Sequence, residues 1–201
     1  LANDVGCPAL IASTSEVYGK SSVPCNEDQD LVLGNTKSLR WSYACSKALN
    51  EFLSMAYSRH EGLPLTVVRL FNTVGPFQSA QYGMVVPRFV QAALANKPLE
   101  IYGDGQQSRC FCDVADVTDA LISLSQSDVA QGEVFNVGSD AEITICELAD
   151  LVIELTGSKS IKRFVPFDDV YGPNFEETQL RIPDLAKIRE TIGYEPKISL
   201  E

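Results

Sequence analysis

Leu65-Thr-Val-Val-Arg-Leu-Phe71 is the stretch that decides the architecture of this chain. Its apolar, β-branched residues show no polar alternation, which suits a strand buried on both faces, as in a parallel sheet. Before it, Ser42 to about Arg59 carries Ala44, Ala48, Leu49, Phe52, Met55 and Ala56 at helical spacing and is closed by Gly62 and Pro64. Before that helix, Ala9 to Ser13 is a shorter apolar run that ends in small hydroxyl residues. Strand, crossover helix, strand makes a βαβ unit, and its ligand belongs beyond the carboxyl ends of the strands. Thr14 and Asn72 fall at those two ends.

Beyond Gly75-Pro76, Met84 to Ala95 reads as a helix entered through Pro87. Leu99-Glu-Ile-Tyr102 and Ser108-Arg-Cys-Phe-Cys112 flank Gly103-Asp-Gly-Gln-Gln107, so a hairpin is expected there. No helix follows that Gly-x-Gly, which removes the phosphate-loop reading. Asp113 to Ser125 gives another helix and Val134 to Val137 another strand. Thr144-Ile-Cys-Glu147 is a capping box opening a helix that Gly157 ends, and Asp184 caps a last short helix closed by Gly193 and Pro196. The alternation specifies an α/β chain.

The chain has 201 residues, 45% of them hydrophobic, enough for one large domain or two small ones. There is no run of 18 apolar residues and no charged-then-apolar leader at Leu1-Ala-Asn-Asp, so no membrane association and a cytoplasmic location are expected by default. The net charge of −11 argues against nucleic acid as a partner and means that a few placed arginines must hold any anionic ligand. The six cysteines are scattered without a Cys-x-x-Cys pair, and His60 is the only histidine, so no metal site and no histidine triad are expected. Cys110 and Cys112 point to one face of a strand as buried thiols.

Tyr43-Ala-Cys-Ser-Lys47 lies on the crossover helix, with Thr14 placed 29 residues before Tyr43. Positions i and i+4 share a helix face, so Tyr43 and Lys47 meet in one pocket. An ammonium about 4 Å from a phenolate attracts it by roughly 4 kcal/mol at an effective dielectric of about 20, which turns a poor base into a working one. A hydroxyl, a phenol and an ammonium can then converge on one reacting oxygen.

These pieces, in this order, resemble the extended short-chain dehydrogenase/reductases that act on nucleotide sugars. The matching segments are Ser13-Thr-Ser-Glu-Val-Tyr-Gly19, Tyr43-x-x-x-Lys47, Arg69-Leu-Phe-Asn-Thr-Val-Gly-Pro76, Tyr82-Gly-Met-Val-Val-Pro87, Leu99-Glu-Ile-Tyr-Gly-Asp-Gly105, Arg109-Cys-Phe-Cys-Asp-Val114, Phe135-Asn-Val-Gly138 and Arg181-Ile-Pro-Asp184. The family begins with a strand and a Gly-x-x-Gly-x-x-Gly loop for the pyrophosphate of NAD, about a hundred residues before the hydroxyl motif. That motif is at residue 14 here, so the chain resembles the C-terminal two-thirds of such an enzyme. The fold implied is an incomplete Rossmann-type doubly wound parallel sheet plus a smaller α+β substrate-binding region. Residues 1–75 then belong to the NAD-binding part and 76–201 mainly to the nucleotide-sugar part, with 110–140 returning to the Rossmann core.

The resemblance implies roles residue by residue. Tyr43 matches the catalytic base, Lys47 the lysine that binds the nicotinamide ribose and favours the phenolate, and Thr14 the hydroxyl that bonds the reacting oxygen. Glu16 is a further catalytic candidate, as a proton carrier or an orienting group. Ser13 and Phe71 join the cofactor side, Phe71 beside the nicotinamide. Asn72 reaches the sugar diphosphate, and Val86, Pro87, Tyr102, Arg109, Asn136 and Arg181 line the nucleotide half. Arg109 and Arg181 are the bidentate donors a diphosphate needs, expected to converge. Arg69, inside an apolar strand, reads as a buried ion pair, and Arg88 as either pair or ligand contact.

The family also separates reactions near Thr14. The deoxythymidine-sugar dehydratases carry Thr-Asp-Glu, whereas Thr14-Ser15-Glu16 resembles UDP-glucuronate decarboxylases, GDP-mannose dehydratases and many sugar epimerases. Thr73-Val-Gly-Pro76 does not follow the GDP-mannose enzymes. The decarboxylases usually place an arginine where Phe77 stands and a charged Tyr-Asp-Glu-Gly-Lys where Tyr43-Ala-Cys-Ser-Lys47 stands. The leading expectation is therefore a nucleotide-sugar 4-epimerase of the UDP-glucose 4-epimerase kind, recycling NAD. The alternatives are a UDP-glucuronate decarboxylase or related dehydratase, and, from another class, a non-catalytic nucleotide-sugar-binding fragment. By analogy the helix bearing Tyr43 forms a homodimer, with Trp41, Phe52 and Met55 assigned by default to the core.

Overall fold

The computed structural model describes residues 2–80, 84–172, 176 and 180–201. Tyr82 and Gly83 of the Tyr82–Pro87 motif lie outside the described residues. A short helix, α1 (Ala2–Val5), leads into β1 (Ala9–Thr14), a 3-10 turn (Ser15–Tyr18), α2 (Arg40–Glu61) and β2 (Leu65–Leu70). β1 and β2 run parallel, with Ala9 opposite Leu65 and Thr14 opposite Leu70. Five of the six residues of β2 are buried, because helices cover both of its faces. Gly62, left-handed at φ 70°, ends α2 as its C-cap, its N–H returning to Ser58 O.

The chain continues as β3 (Asn72–Val74), α3 (Val85–Leu94), β4 (Leu99–Tyr102), β5 (Ser108–Asp113) and α4 (Val114–Ser125), then β6 (Val134–Val137), β7 (Glu142–Thr144) and α5 (Ile145–Thr156). β8 (Lys162–Val165), α6 (Phe167–Tyr171) and α7 (Ala186–Ile192) complete it. β6 returns to pair in parallel with β2, giving the sheet order β1-β2-β6. The fold is thus the mixed α/β architecture with parallel sheets that the alternation of elements dictates. Thr144 and Glu147 form the capping box of α5 reciprocally, and Asp184 Oδ1 accepts from Ala186 N at the start of α7.

Two expectations are corrected. β4 and β5 do not form a hairpin: β4 pairs in parallel with β8, and β5 pairs in parallel with β3 and antiparallel with β7. Gly103 and Gly105 do turn the chain, at φ 75° and 74°. A Cβ on Gly105 would sit 2.5 Å from Cys146 Sγ, so the connection is pressed against the start of α5 instead of standing free as a hairpin tip. Gln107 Nε2 closes it from within by donating to Tyr102 O at 2.8 Å. The second correction is Phe52, which is 68% exposed and not part of the core. The seam of α2 against the sheet is Trp41, Ala44, Ala48 and Glu51, and the apolar residues Leu49, Phe52 and Leu53 lie outside it.

The hydrophobic interior has two main bodies. One gathers Val68, Leu124, Phe135, Leu185 and Ile188 around β2, β6, α4 and α7. The other gathers Phe89, Leu99, Ile101, Phe111 and Leu148 under α3 and α5. Asn136 sits fully buried near the first, where its backbone N donates to Glu27 Oε1 at 2.9 Å. Glu27 is itself buried, and desolvation pushes its carboxyl above the usual glutamate range. The folded state therefore favours neutral Glu27, a contribution present at pH values below the ordinary glutamate pKa and lost as pH rises through the raised value. Glu27→Gln, which keeps the acceptor and removes the charge, is expected to raise the melting temperature relative to the parent at pH 7 but not at pH 4, as thermal denaturation at the two pH values will read.

Candidate active site

The carboxyl end of β1 delivers Ser13 and Thr14, both buried. Thr14 caps the 3-10 turn that follows, its Oγ1 accepting from Glu16 N at 3.2 Å. Across from it, the first turns of α2 carry Tyr43, half-exposed, and Lys47, whose Nζ donates to Ala12 O at 3.0 Å. The ammonium thus bridges the helix to the strand just behind Thr14. Tyr43 and Lys47 share a helix face, as their spacing requires.

Glu16 is held between cations. Arg181 Nη1 donates to Glu16 Oε1 at 2.7 Å, and Arg40 Nη2 lies 3.6 Å from Oε2. Arg181 reaches this point because its segment is pinned beside the loop after the 3-10 turn. Cys25 N donates to Ile182 O at 2.7 Å and Asp184 N to Cys25 O at 2.9 Å. Asn136 completes the bracket: its Nδ2 donates to Cys25 O and Asp184 O, while its Oδ1 accepts from the Tyr18 hydroxyl at 2.7 Å.

A cavity of about 370 Å³ opens next to this cluster, beyond the end of β2. Leu70, the partner of Thr14 in the parallel register, is in its wall, as are Phe71 and Asn72. Val86, Pro87 and Arg88 from the start of α3, Tyr102 from β4, Arg109 from β5, and Phe167 and Tyr171 from α6 close the other sides. Aromatic rings and cations alternate there: the Arg88 guanidinium stands 4.0 Å from the Tyr102 ring centroid, Tyr171 meets Tyr102 edge-on at 5.8 Å, and Phe167 stacks on Tyr171 at 6.5 Å. Arg88 is fixed by donating to Glu100 O at 2.9 Å, and Asn72 by donating to Cys110 O at 3.0 Å. Such a wall suits a flat heteroaromatic ring joined to anionic groups.

The expected site residues therefore separate into groups. Phe71, Asn72, Val86, Pro87, Tyr102 and Arg109 come together in the cavity. Thr14, Glu16 and Lys47 gather about the carboxyl end of β1, and Tyr43 lies one turn before Lys47 on α2. Arg181 does not converge with Arg109, because Glu16 holds it. Asn136 is no cavity residue: its amide is fully used inside the protein. The Ser13 hydroxyl is likewise turned inward, donating to Glu51 Oε1. Arg69 is the buried ion pair its apolar setting suggested, 2.8 Å from Glu51. Sequence reasoning passed over Phe167 and Tyr171, although their i, i+4 spacing was the available signal. Among the described residues no cluster of His, Cys, Asp or Glu suits a metal ion, and no helix is long and apolar enough to cross a membrane.

Residues 3–201 match the family model described as GDP-mannose 4,6 dehydratase. A curated relative, the UDP-N-acetyl-alpha-D-glucosaminuronate decarboxylase of Bacillus cytotoxicus, is 45% identical over 193 residues, covering 96% of this chain and 60% of the relative. UDP-glucuronic acid decarboxylase 1 of Danio rerio is 37% identical over 204 residues, covering all of this chain and 46% of the relative. Among solved structures, an epimerase from Methanothermobacter thermautotrophicus superposes with a TM-score of 0.88 at 28% identity, over 99% of this chain and 57% of that one. UDP-glucuronic acid 4-epimerase from Bacillus cereus, solved with UDP-glucuronic acid and NAD, gives 0.83 at 27% identity, over 95% and 57%. The chain thus spans about half to three-fifths of the length of these proteins.

The Glu16–Arg181 pair has a measurable consequence. Arg181→Ala leaves Glu16 with only the longer Arg40 contact, and the expected loss is about 1 kcal/mol, below the usual range for a charged hydrogen bond because Glu16 is partly exposed. Urea unfolding of the parent and the variant measures it.

Proposed function

The chain belongs to the NAD-dependent epimerase/dehydratase family of extended short-chain dehydrogenase/reductases that the GDP-mannose 4,6 dehydratase model describes, and from that premise we propose that the full protein is a UDP-hexuronate decarboxylase. The observation that carries this reading is the carboxylate–guanidinium pair of Glu16 and Arg181 two residues from Thr14, in a chain 45% identical to an enzyme named for removing a uronate carboxylate. The resemblance at Thr14-Ser15-Glu16 and Thr73-Val-Gly-Pro76 puts 4-epimerisation first. The decarboxylase relatives shift the weight to the alternative, despite Phe77 and Tyr43-Ala-Cys-Ser-Lys47 departing from the usual decarboxylase pattern.

The residues present fit the nicotinamide half of NAD. A half-exposed phenol and a strand-anchored ammonium stand at the carboxyl ends of parallel strands, where such ligands bind. Tyr43 and Lys47 would hold the nicotinamide ribose, with Phe71 flanking the ring. When bound, NAD supplies the acceptor and donor of hydride at sugar C4. Tyr43 takes the proton of the C4 hydroxyl, Thr14 orients that oxygen, and Lys47 stabilises the phenolate. Oxidation at C4 makes a uronate a β-keto acid; with the C5–C6 bond across the carbonyl plane, C6 leaves as carbon dioxide, the bonding pair passes into the C4 enolate, and C5 takes a proton from water to restore the 4-ketone. In this reading Arg181, steadied by Glu16, orients that carboxylate. The aromatic and arginine wall of the cavity takes the nucleoside diphosphate.

A second reading has its own support. UDP-glucuronic acid 4-epimerase from Bacillus cereus has the same fold over 95% of this chain. The two readings share substrate class and first step and differ in whether the carboxylate is kept. Incubating the full-length protein and NAD with UDP-N-acetylglucosaminuronate, UDP-glucuronate and UDP-glucose distinguishes them. Carbon dioxide release from a uronate is the expected result. A C4 epimer formed without carbon dioxide selects the second reading, and no turnover of any of the three overturns both. Tyr43→Phe is expected to lower kcat by at least about 100-fold, the scale of a lost general base, while UDP binding stays unchanged. The exposed apolar residues Leu49, Phe52, Leu53 and Tyr57 of α2 support pairing of two copies through that helix. Phe52→Glu should then convert a dimer to a monomer in sedimentation velocity.

A further inference from the structure

Glu51 is the one charged residue in the buried seam of α2, among Trp41, Ala44 and Ala48. It stands one turn beyond Lys47, at i+4 on the same face, and about two turns along the helix from Tyr43. Three donors surround its carboxylate. Ser13 Oγ donates to Oε1. Arg69, from β2, grips both oxygens, with Nε 3.1 Å from Oε1 and 3.2 Å from Oε2, and Nη2 2.8 Å from Oε2. Arg69 is itself immobilised, its Nη1 donating to Glu27 O at 3.1 Å and its guanidinium 4.7 Å from the Tyr18 ring centroid.

The geometry matters because of what surrounds it. Ala44 and Ala48 present single methyl groups to the sheet, and such a contact does little to stop a helix sliding along its axis. A bidentate arginine–carboxylate contact is directional and has one good position. Ser13 directly precedes Thr14, so the hydroxyl bonded to Glu51 belongs to the residue next to the substrate-orienting threonine. Lys47 Nζ on Ala12 O is a second tie in the same seam.

We propose that Glu51, gripped by Arg69 and Ser13, is a positioning residue that sets the height of α2 over β1 and thereby the separation of the Tyr43 phenol from the Thr14 hydroxyl. The proposal rests on the function above for what those two groups do. It also gives Ser13 a different task from cofactor contact: its hydroxyl is part of the register key.

The test uses the full-length protein with NAD. Glu51→Asp keeps the charge opposite Arg69 and shortens the reach by one methylene. It is expected to lower kcat by about tenfold or more, since small misplacements of reacting groups are costly, with KM for the uronate and the Kd of UDP held within about threefold. Ser13→Ala, which leaves the ion pair intact, is expected to lower kcat by about threefold or more with KM unchanged, and decides the matter if the aspartate variant does not fold. Unchanged kcat in the folded variants overturns the proposal, as does a parallel loss of kcat, UDP affinity and melting temperature. If the parent turns over no nucleotide sugar, the functional reading fails separately. Crystal structures of the two variants then decide positioning: Tyr43 displaced relative to Thr14 supports it, and an unmoved Tyr43 overturns it.

Discussion

The buried pair of Glu51 and Arg69 is the constraint on which the arrangement of the site depends. Hydrophobic burial drives α2 onto the sheet, but it is non-directional and leaves the helix free to choose its height. The bidentate pair removes that freedom. It is also expensive to break from one side, at about 3–5 kcal/mol for an uncompensated buried charge. Together with the Lys47 tie to Ala12 O, this contact sets what α2 presents at the carboxyl ends of β1 and β2.

Charge is distributed around the site in the same spirit. A chain at −11 repels anions at long range, yet Arg88 and Arg109 stand in the cavity wall and Arg181 is paired with Glu16. Arg88 and Arg181 are preorganised by partners they already have: the Glu100 carbonyl and the Tyr102 ring for the first, Glu16 for the second. A guanidinium held in advance loses less freedom when a ligand arrives.

The βαβ unit was legible because each of its parts is a local pattern: two apolar runs, a helical repeat, a closing glycine. The cavity wall was largely legible as well, through motifs whose residues lie near the ends of those elements. What escaped the sequence was pairing at a distance. Gly103 to Gln107 announces a turn, but the turn does not say whether β4 and β5 meet each other or find separate partners. Asn136 looked like a ligand contact, yet its partner Tyr18 lies 118 residues away. Glu51 carried a signal that went unused, a carboxylate one turn from Lys47 on the inward face of an apolar helix. Phe52 misled for the opposite reason, since α2 has more apolar residues than its seam can cover.

The bracket that Asn136 makes has a consequence for synthesis. Its Nδ2 joins the loop at Cys25 to the segment at Asp184, and that segment carries Arg181 to Glu16. A chain still emerging from the ribosome can form the strands, the helix and the tyrosine–lysine pair long before residue 184 is released. During that interval Glu16 lacks its principal cation. The order of the chain thus leaves the bracket around Glu16 to be closed by some of its last residues.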